Sequence, residues 1–531
     1  MRTTYRGTVA GVNEPDGTGG DVPEASSARP EIIAVGIVAI VAGSVLRFAT
    51  TSSLWLDEAL TVNISQLPAG DMVRWLRHDG HPPLYYLLLH GWTDLFGTGD
   101  VAVRALSGIF GLLALPLAWI AGRRRGGPLL GWITVTFVAL SPFAVRYSDE
   151  ARMYSLVMLL AFAGYLLLDD VLRRGRGGLL RYVGITAVTA ALLYTNYWAL
   201  WLLATAGVLT LWQAWRGGDA AARAAAWKVV AALVVGGLLF VPWLPSMLYQ
   251  SAHTGTPWAS PSRPTVAAAY TLADFSSGLY SDAAFFAILL GILIVLGVFG
   301  RAIDRRTIAL DLRTVRQLRI EAIVAVATFG IGMVTSYAAK GAFATRYAAV
   351  IFPFVALLVA GGVTRFSARW VRFGVLGAMC AFLGAGALWN VADTRTQAGQ
   401  VANAIDANAN PGDVVVYCPD QLGPAGSRAV TADVHQIAYP TGGDPGLVDW
   451  VDYAERNDAA DPVAFAQKVL AETPPDQAIF VVWNGEYKTF EGDCEALVNT
   501  IGAARSGGQE LVRADDHFFE HESVSWFPGA S

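Results

Sequence analysis

Charge is scarce in this 531-residue sequence: Asp, Glu, Lys and Arg make up only 15% of it, against 54% hydrophobic residues. The mean hydropathy is +0.43. Soluble globular chains carry about a quarter charged residues, so a wholly water-soluble protein is excluded. A P-loop is missing, as is a Gly-x-Gly-x-x-Gly between a strand and a helix. With no soluble cytoplasmic domain to hold a nucleotide, any energy for chemistry arrives with the substrate, and no organic cofactor or nucleic-acid partner is expected. No internal repeat is visible. A cleavable signal peptide is not evident either: residues 1–30 are polar and Gly-rich, and are expected to be a disordered cytoplasmic segment ahead of an uncleaved anchor. There are three cysteines. Cys380 falls in an apolar run as filler. Cys418 and Cys494 lie in the tail, where an oxidising compartment would let them pair; two buried thiols are the alternative.

What is abundant is long uncharged sequence, such as Ile32–Ala49 and Ala348–Val363. A run of roughly 18 or more such residues crosses about 30 Å of hydrocarbon as a helix, the conformer that satisfies its own backbone in lipid. About eleven spans are expected, near 31–50, 101–122, 128–145, 153–168, 182–195, 198–215, 227–245, 283–300, 320–338, 346–363 and 372–390. Basic residues crowd alternate loops: Arg123–Arg125; Arg173, Arg174 and Arg176; Arg216 and Arg223; Arg301, Arg305, Arg306, Arg313, Arg316 and Arg319; Arg365, Arg369 and Arg372. The positive-inside rule makes those loops cytoplasmic, which puts the N-terminus inside and the tail outside.

The net charge of −5 averages two unlike parts, a basic body over residues 31–390 and an acid-rich tail over 391–531. In the tail, Asp413–Cys418 and Ala478–Trp483 read as buried strands and 462–473 as a helix. Two outer segments, 51–100 and 246–282, interleave polar and aromatic residues with Leu, as helices lying in the interface do. The expected architecture is therefore an α-helical polytopic protein of the plasma membrane with a C-terminal extracytoplasmic α/β domain.

The residues with chemistry to offer gather on the outer face. Trp55-Leu56-Asp57-Glu58 follows the first span, where adjacent carboxylates suit a general base or a cation site. Position alone equally suits an acidic start to an interfacial helix. In His81-Pro82-Pro83-Leu84-Tyr85-Tyr86 the prolines fix the backbone and permit a helix to start at Leu84, holding His81 where it could meet phosphate or metal. Ser148-Asp149-Glu150-Ala151-Arg152-Met153-Tyr154 puts three charges in one tight outer turn, which is costly without a partner. Arg346-Tyr347 opens a late span with Lys340 nearby, and both cations could snorkel or grip an anion. Tyr194-Thr195-Asn196-Tyr197-Trp198 marks another outer interface. Carboxylates, a His and several cations on one side form the kit for moving a group off a lipid phosphate: a base for the acceptor hydroxyl and cations for the leaving group.

These motifs, in this order and on this side, resemble the GT-C superfamily of glycosyltransferases, in the branch of protein O-mannosyltransferases and lipid A aminoarabinose transferases. The matching features are Leu56-Asp57-Glu58, His81-Pro82-Pro83-Leu84-Tyr85-Tyr86, Ser148-x-Glu150-Ala151-Arg152-x-Tyr154 and Arg346-Tyr347, over residues 31–365. The tail is similar to C-terminal domains on actinobacterial members. The resemblance implies a polyprenyl-phosphate sugar donor, a glycan, glycolipid or protein acceptor reached from outside, and inversion at the anomeric carbon. It implies Asp57 as catalytic base with Glu58 beside it. Arg346, Arg152, Lys340 and His81 would serve the donor phosphate, and Glu150, Tyr154, Tyr85, Asn196 and Tyr197 the acceptor or substrate. His81 stands where some relatives carry Lys. Metal dependence varies among relatives; a divalent cation, if used, would fall to Asp57, Glu58 and His81. Mannose and arabinofuranose are the expected sugars. A lipid or sugar transporter is the main rival reading, but it usually brings repeats and charges near mid-membrane. A scaffold with an inactive body and a glycan-binding tail is a second.

Overall fold

The computed structural model describes residues 29–255, 263–278, 284–338, 341 and 343–530; residues 1–28, Lys340 and two aromatic residues of the second outer segment, Trp258 and Tyr280, lie outside the described residues. Pro30 opens helix α1 (Pro30–Leu46), where its fixed φ and missing N–H suit a first turn. One face of α1 exposes Ile37, Val38, Val41 and Val45, and the other buries Gly36, Ala39 and Gly43. An apolar exposed face of this kind belongs in lipid, and the small residues on the inner face allow close helix contact. A Cβ on Gly43 would stand 2.1 Å from the Ala139 carbonyl oxygen. One turn on, Arg47 is buried and donates to the carbonyls of Val138 and Ala139, each at 2.8 Å.

Three short helices follow: α2 (Leu56–Gln66), α3 (Ala69–Asp79) and α4 (Leu84–Phe96). Gly80, in the left-handed region at φ +84°, ends α3, and the two prolines then delay the next helix until Leu84. Helix α5 (Asp100–Leu140) covers two of the expected spans. It breaks at Gly126-Gly127, where Gly127 takes φ +77° ahead of Pro128. A short helix α6 (Pro142–Arg146) leads into the turn carrying Glu150 and Arg152, and α7 (Tyr154–Leu172) returns across the bundle. At the far end of these helices Arg125 pairs with Glu321, whose carboxylate also accepts from the Tyr165 hydroxyl at 2.7 Å.

Among the described residues five helices are long and apolar enough to cross a membrane: Asp100–Leu140, Tyr154–Leu172, Ala220–His253, Arg319–Ala338 and Arg369–Ala392. Shorter apolar helices, among them Pro30–Leu46, Leu179–Thr195 and Phe352–Thr364, complete a multi-pass membrane bundle. The expected span at 346–363 is composite, because a 3-10 helix over Thr345–Val350 precedes Phe352–Thr364. The Arg-rich loop between two late spans folds into a hairpin of β1 (Gly300–Ala302) and β2 (Ile308–Leu310).

The tail holds a five-stranded sheet of β3 (Val414–Cys418), β4 (His435–Ala438), β5 (Ile479–Trp483), β6 (Gln509–Val512) and β7 (Ser523–Phe527), in the order β4-β3-β5-β7-β6. The first three neighbours run parallel, and β7 and β6 add antiparallel strands. The buried residues of β3 and β5 are apolar on both faces, as central parallel strands require. A disulfide joins Cys418 at the end of β3 to Cys494 in the helix Asp493–Ala504. The tail sits on α2 and α3: Asn63 donates to the Gly446 carbonyl at 2.9 Å, and the Trp450 amide donates to the His78 carbonyl at 3.1 Å.

Candidate active site

The first turn of α2 carries two carboxylates in unlike surroundings. Adjacent helical residues point about 100° apart, and here that sends Glu58 inward and leaves Asp57 partly exposed. Glu58 is fully buried, and its two oxygens are gripped by Arg104, Nε at 2.8 Å and Nη2 at 2.6 Å. It also accepts from the Ala151 amide at 2.8 Å, which ties α2 to the turn between α6 and α7. Arg104 in turn donates to the Ser52 carbonyl at 2.6 Å. Glu58 thus ties α2 to its neighbours. Arg104→Leu leaves that carboxylate buried without its cation and is expected to destabilise the protein by about 3–5 kcal/mol. Thermal unfolding in lipid nanodiscs measures this, with Arg104→Lys expected to recover part of the loss.

Asp57 accepts from Arg346 at 2.7 Å, with Arg152 at 3.7 Å. Burial raises its carboxyl, and the guanidiniums of Arg346 and Arg152 outweigh burial and hold it below its usual range. Arg152 is buried and well anchored, with Nη1 donating to Thr61 Oγ1 at 2.6 Å and to the Asp57 carbonyl at 3.1 Å. Its Nη2 lies 3.1 Å from His81 Nε2. A guanidinium has no acceptor, so His81 Nε2 accepts and Nδ1 donates, to Asp79 Oδ2 at 3.0 Å. Tyr86 donates to the same Asp79 oxygen. The chain Tyr86–Asp79–His81–Arg152–Asp57–Arg346 is therefore one polar network. The 3-10 helix at Thr345–Val350 is what brings Arg346 to it, across 289 residues of sequence.

A second carboxylate centre adjoins this one. Glu150 is buried and accepts from Arg146 at 3.2 Å and from Arg395. Burial raises it, and Arg395 and Arg146 outweigh burial and hold it below the usual range. Its neighbour Asp149 has weaker compensation, and burial pushes its carboxyl up to about 8. Asp274, fully buried in the helix Pro264–Ser276, is pushed up to about 6 by burial, with Arg146 opposing.

Three donors near Asp57 have no hydrogen-bond partner among the described residues although all are buried: Tyr154 Oη, Arg152 Nε and Arg346 Nε. Tyr154 lies within the electrostatic reach of both arginines and of Asp57. Buried donors are normally satisfied, so each of these has the capacity to take an incoming acceptor. With two guanidiniums the natural acceptor is a multiply charged oxyanion such as phosphate.

The other expected residues have partners within the protein. Tyr85 is buried and shares a 2.7 Å hydrogen bond with Ser107, which donates to the Arg152 carbonyl at 3.0 Å. Asn196 Oδ1 accepts from the Trp198 amide at 2.9 Å. The Tyr197 hydroxyl accepts from Trp243 at 2.9 Å and donates to Gln250, whose amide reaches the His81 carbonyl at 3.4 Å. Tyr197 is thus linked to the His81 backbone through Gln250. Lys340 lies outside the described residues. The three side chains considered for a cation do not converge: Glu58 is taken by Arg104, Asp57 faces Arg346, and His81 Nε2 faces Arg152. Among the described residues no three His, Cys, Asp or Glu side chains are grouped to hold a metal ion.

Sequence reasoning passed over Asp79, Arg104, Arg146, Asp274 and Arg395. Asp79 had a local signal, an acid two residues before His81. Arg395 had none, because it lies just past the last span and meets Glu150 across 245 residues.

No family model matches the chain, and no curated protein matches it in sequence. Solved structures do. ArnT from Cupriavidus metallidurans in the apo state is similar over 93% of this chain and 97% of its own, with a TM-score of 0.58 at 14% identity. The same protein bound to undecaprenyl phosphate gives a TM-score of 0.55 at 15% identity, over 94% of this chain and 98% of its own. The arabinofuranosyltransferase AftD from Mycobacteria gives 0.50 at 13% identity, over 96% of this chain but 40% of its own length. The likeness is one of fold: the chain shares the framework of ArnT and AftD, which agrees with the fold expected from the motifs.

Proposed function

We propose that this protein is an inverting glycosyltransferase that moves a sugar from a polyprenyl phosphate to an acceptor hydroxyl at the outer face of the membrane. The observation that carries the reading is the pairing of one partly exposed carboxylate, Asp57, with two arginines and a buried tyrosine, each of which keeps one buried donor without a partner among the described residues. The fold supports it, since ArnT binds undecaprenyl phosphate on a similar framework. The topology that goes with this reading has the N-terminus in the cytoplasm and the tail outside, where the acceptor is a glycan, glycolipid or protein. The sugar is mannose or arabinofuranose.

The geometry suggests a sequence of events. Arg346 and Asp57 form an ion pair, so the donor phosphate and the carboxylate compete for one guanidinium. Phosphate binding to Arg346, Arg152 and Tyr154 draws the cation away from Asp57 and restores its basicity. Asp57 then takes the proton of the acceptor hydroxyl as its oxygen bonds to the anomeric carbon. The bond from that carbon to the phosphate oxygen breaks on the opposite side, and the lipid phosphate leaves as an anion neutralised by the arginines.

The test is transfer by purified protein in nanodiscs, using a panel of synthetic polyprenyl-phosphate mannose, arabinofuranose and other sugars. Turnover with one donor establishes the class and names the sugar. A folded protein that turns over none of them, with several acceptors, overturns the reading in favour of a transporter or scaffold.

A further inference from the structure

Helix α2 begins without a cap of its own. Its N-cap residue, Trp55, offers no side-chain acceptor, and the amide of Leu56 is an unshared donor one residue ahead of Asp57. That amide donates to a side chain 464 residues away: Glu520 of the tail accepts it with both oxygens, at 2.8 and 3.1 Å. Glu520 is buried, and its backbone is pinned to the stretch that leaves the last span. The Glu520 amide donates to the Arg395 carbonyl at 2.8 Å, and the Gln397 amide donates to the Glu520 carbonyl at 3.0 Å. Trp55 packs edge-on against Phe519, with ring centroids 5.8 Å apart. The same stretch reaches the rest of the site, since the Arg395 side chain meets Glu150 and its amide donates to Ser52 Oγ at 3.3 Å.

We infer that Glu520 is a positioning residue, capping the catalytic helix from the C-terminal domain so that Asp57 is held toward Arg346 and Arg152. The inference rests on the functional reading above, in that Asp57 is the base. Its consequence is that the tail is part of the catalytic assembly rather than a tethered accessory. The cap needs an acceptor oxygen at the distance a Glu side chain spans, and does not need a particular charge. A carboxamide of the same length supplies that oxygen; a carboxylate one methylene shorter does not reach it.

The test uses the full chain in nanodiscs with Glu520→Leu, Glu520→Asp and Glu520→Gln, and two readouts. One is amide hydrogen exchange at Leu56–Leu60, with the β3 and β5 amides as a control for folding. The other is the split between kcat and the KM for the polyprenyl-phosphate sugar that the wild type uses. The Leu and Asp variants are expected to exchange faster at Leu56–Leu60 with the sheet still protected. They are expected to lose roughly tenfold or more in kcat at little change in donor KM, the mark of a base held slightly out of place. Gln is expected to restore both. Unchanged exchange and kcat in the Asp and Leu variants overturns the inference, and so does a Gln variant as poor as Leu. If Leu unfolds the tail, seen as lost sheet protection, the Asp and Gln pair decides. If the wild type turns over no donor, the glycosyltransferase reading falls, while the exchange data still decide whether Glu520 caps α2.

Discussion

Asp57→Asn is expected to lower kcat by about 10²- to 10⁴-fold, the usual worth of a positioned general base, while leaving the protein folded and able to bind lipid phosphate. Asparagine keeps the shape of the side chain and can still accept from Arg346, so the architecture around α2 survives. What disappears is the negative charge that pairs with Arg346 at 2.7 Å. Because that carboxylate competes with the donor phosphate for the guanidinium, undecaprenyl phosphate alone is expected to bind Asp57→Asn at least as tightly as it binds the wild type. Turnover and lipid-phosphate titration on the same preparation check both halves. Retention of wild-type turnover would remove Asp57 from the mechanism. Weakened binding would show that the pair is not in competition with the donor.

Arg346→Ala is expected to lower kcat/KM by about 10²- to 10³-fold, as loss of a donor aimed at developing charge does, and to weaken binding of undecaprenyl phosphate. Arg346→Lys should recover only part, because a point charge cannot grip two phosphate oxygens as a planar fork does. The variant also carries a pH signature. In the wild type, burial raises the Asp57 carboxyl and Arg346, ahead of Arg152, outweighs it, so the group stays ionised below the usual carboxylate range. Removing Arg346 takes away the larger lowering influence and leaves burial in place. The Asp57 proton then comes on at higher pH, and the acid limb of kcat/KM should move upward relative to the wild type. A limb that does not move, on the residual activity of Arg346→Ala, would mean that another group sets it. Asp149 and Asp274, already raised by burial, are the nearest alternatives.

The tail enters both experiments. Arg395 reaches Glu150 from just past the last span, and Glu520 holds the start of α2. Residues from the two ends of the chain therefore meet at one site, and the helices α2 and α3 contact the tail. The inactive-scaffold reading has to explain why a disused body would keep Asp57 with two arginines and a buried Tyr154 whose hydroxyl has no partner among the described residues.

The multi-pass bundle could be read from local sequence, because a helix in lipid needs only an uninterrupted apolar run, and such runs are visible residue by residue. The break in α5 was legible at Gly126-Gly127-Pro128, and the start of α4 at Pro82-Pro83. The central strands β3 and β5 were legible for the same reason, being continuous apolar runs. The edge strands β4 and β6 were not, since their part-exposed patterns carry little periodic signal, nor was β7, whose serines interrupt the apolar run. At the site, Asp57, Arg152 and Arg346 stood out as charges where lipid makes charge costly. Which carboxylate would be engaged in structure was a different matter. Asp57 and Glu58 are adjacent and chemically alike, and only the position of Arg104, 46 residues on, turned Glu58 into a buried tie and left Asp57 accessible. The same holds for His81, whose free nitrogen is taken by Arg152, and for Glu520, which meets Leu56 across nearly the whole chain. Local sequence decides where a segment sits relative to the membrane because that depends on the segment's own transfer free energy. The partner of each charge depends on long-range packing, and that is settled only when the helices and the tail close around one another.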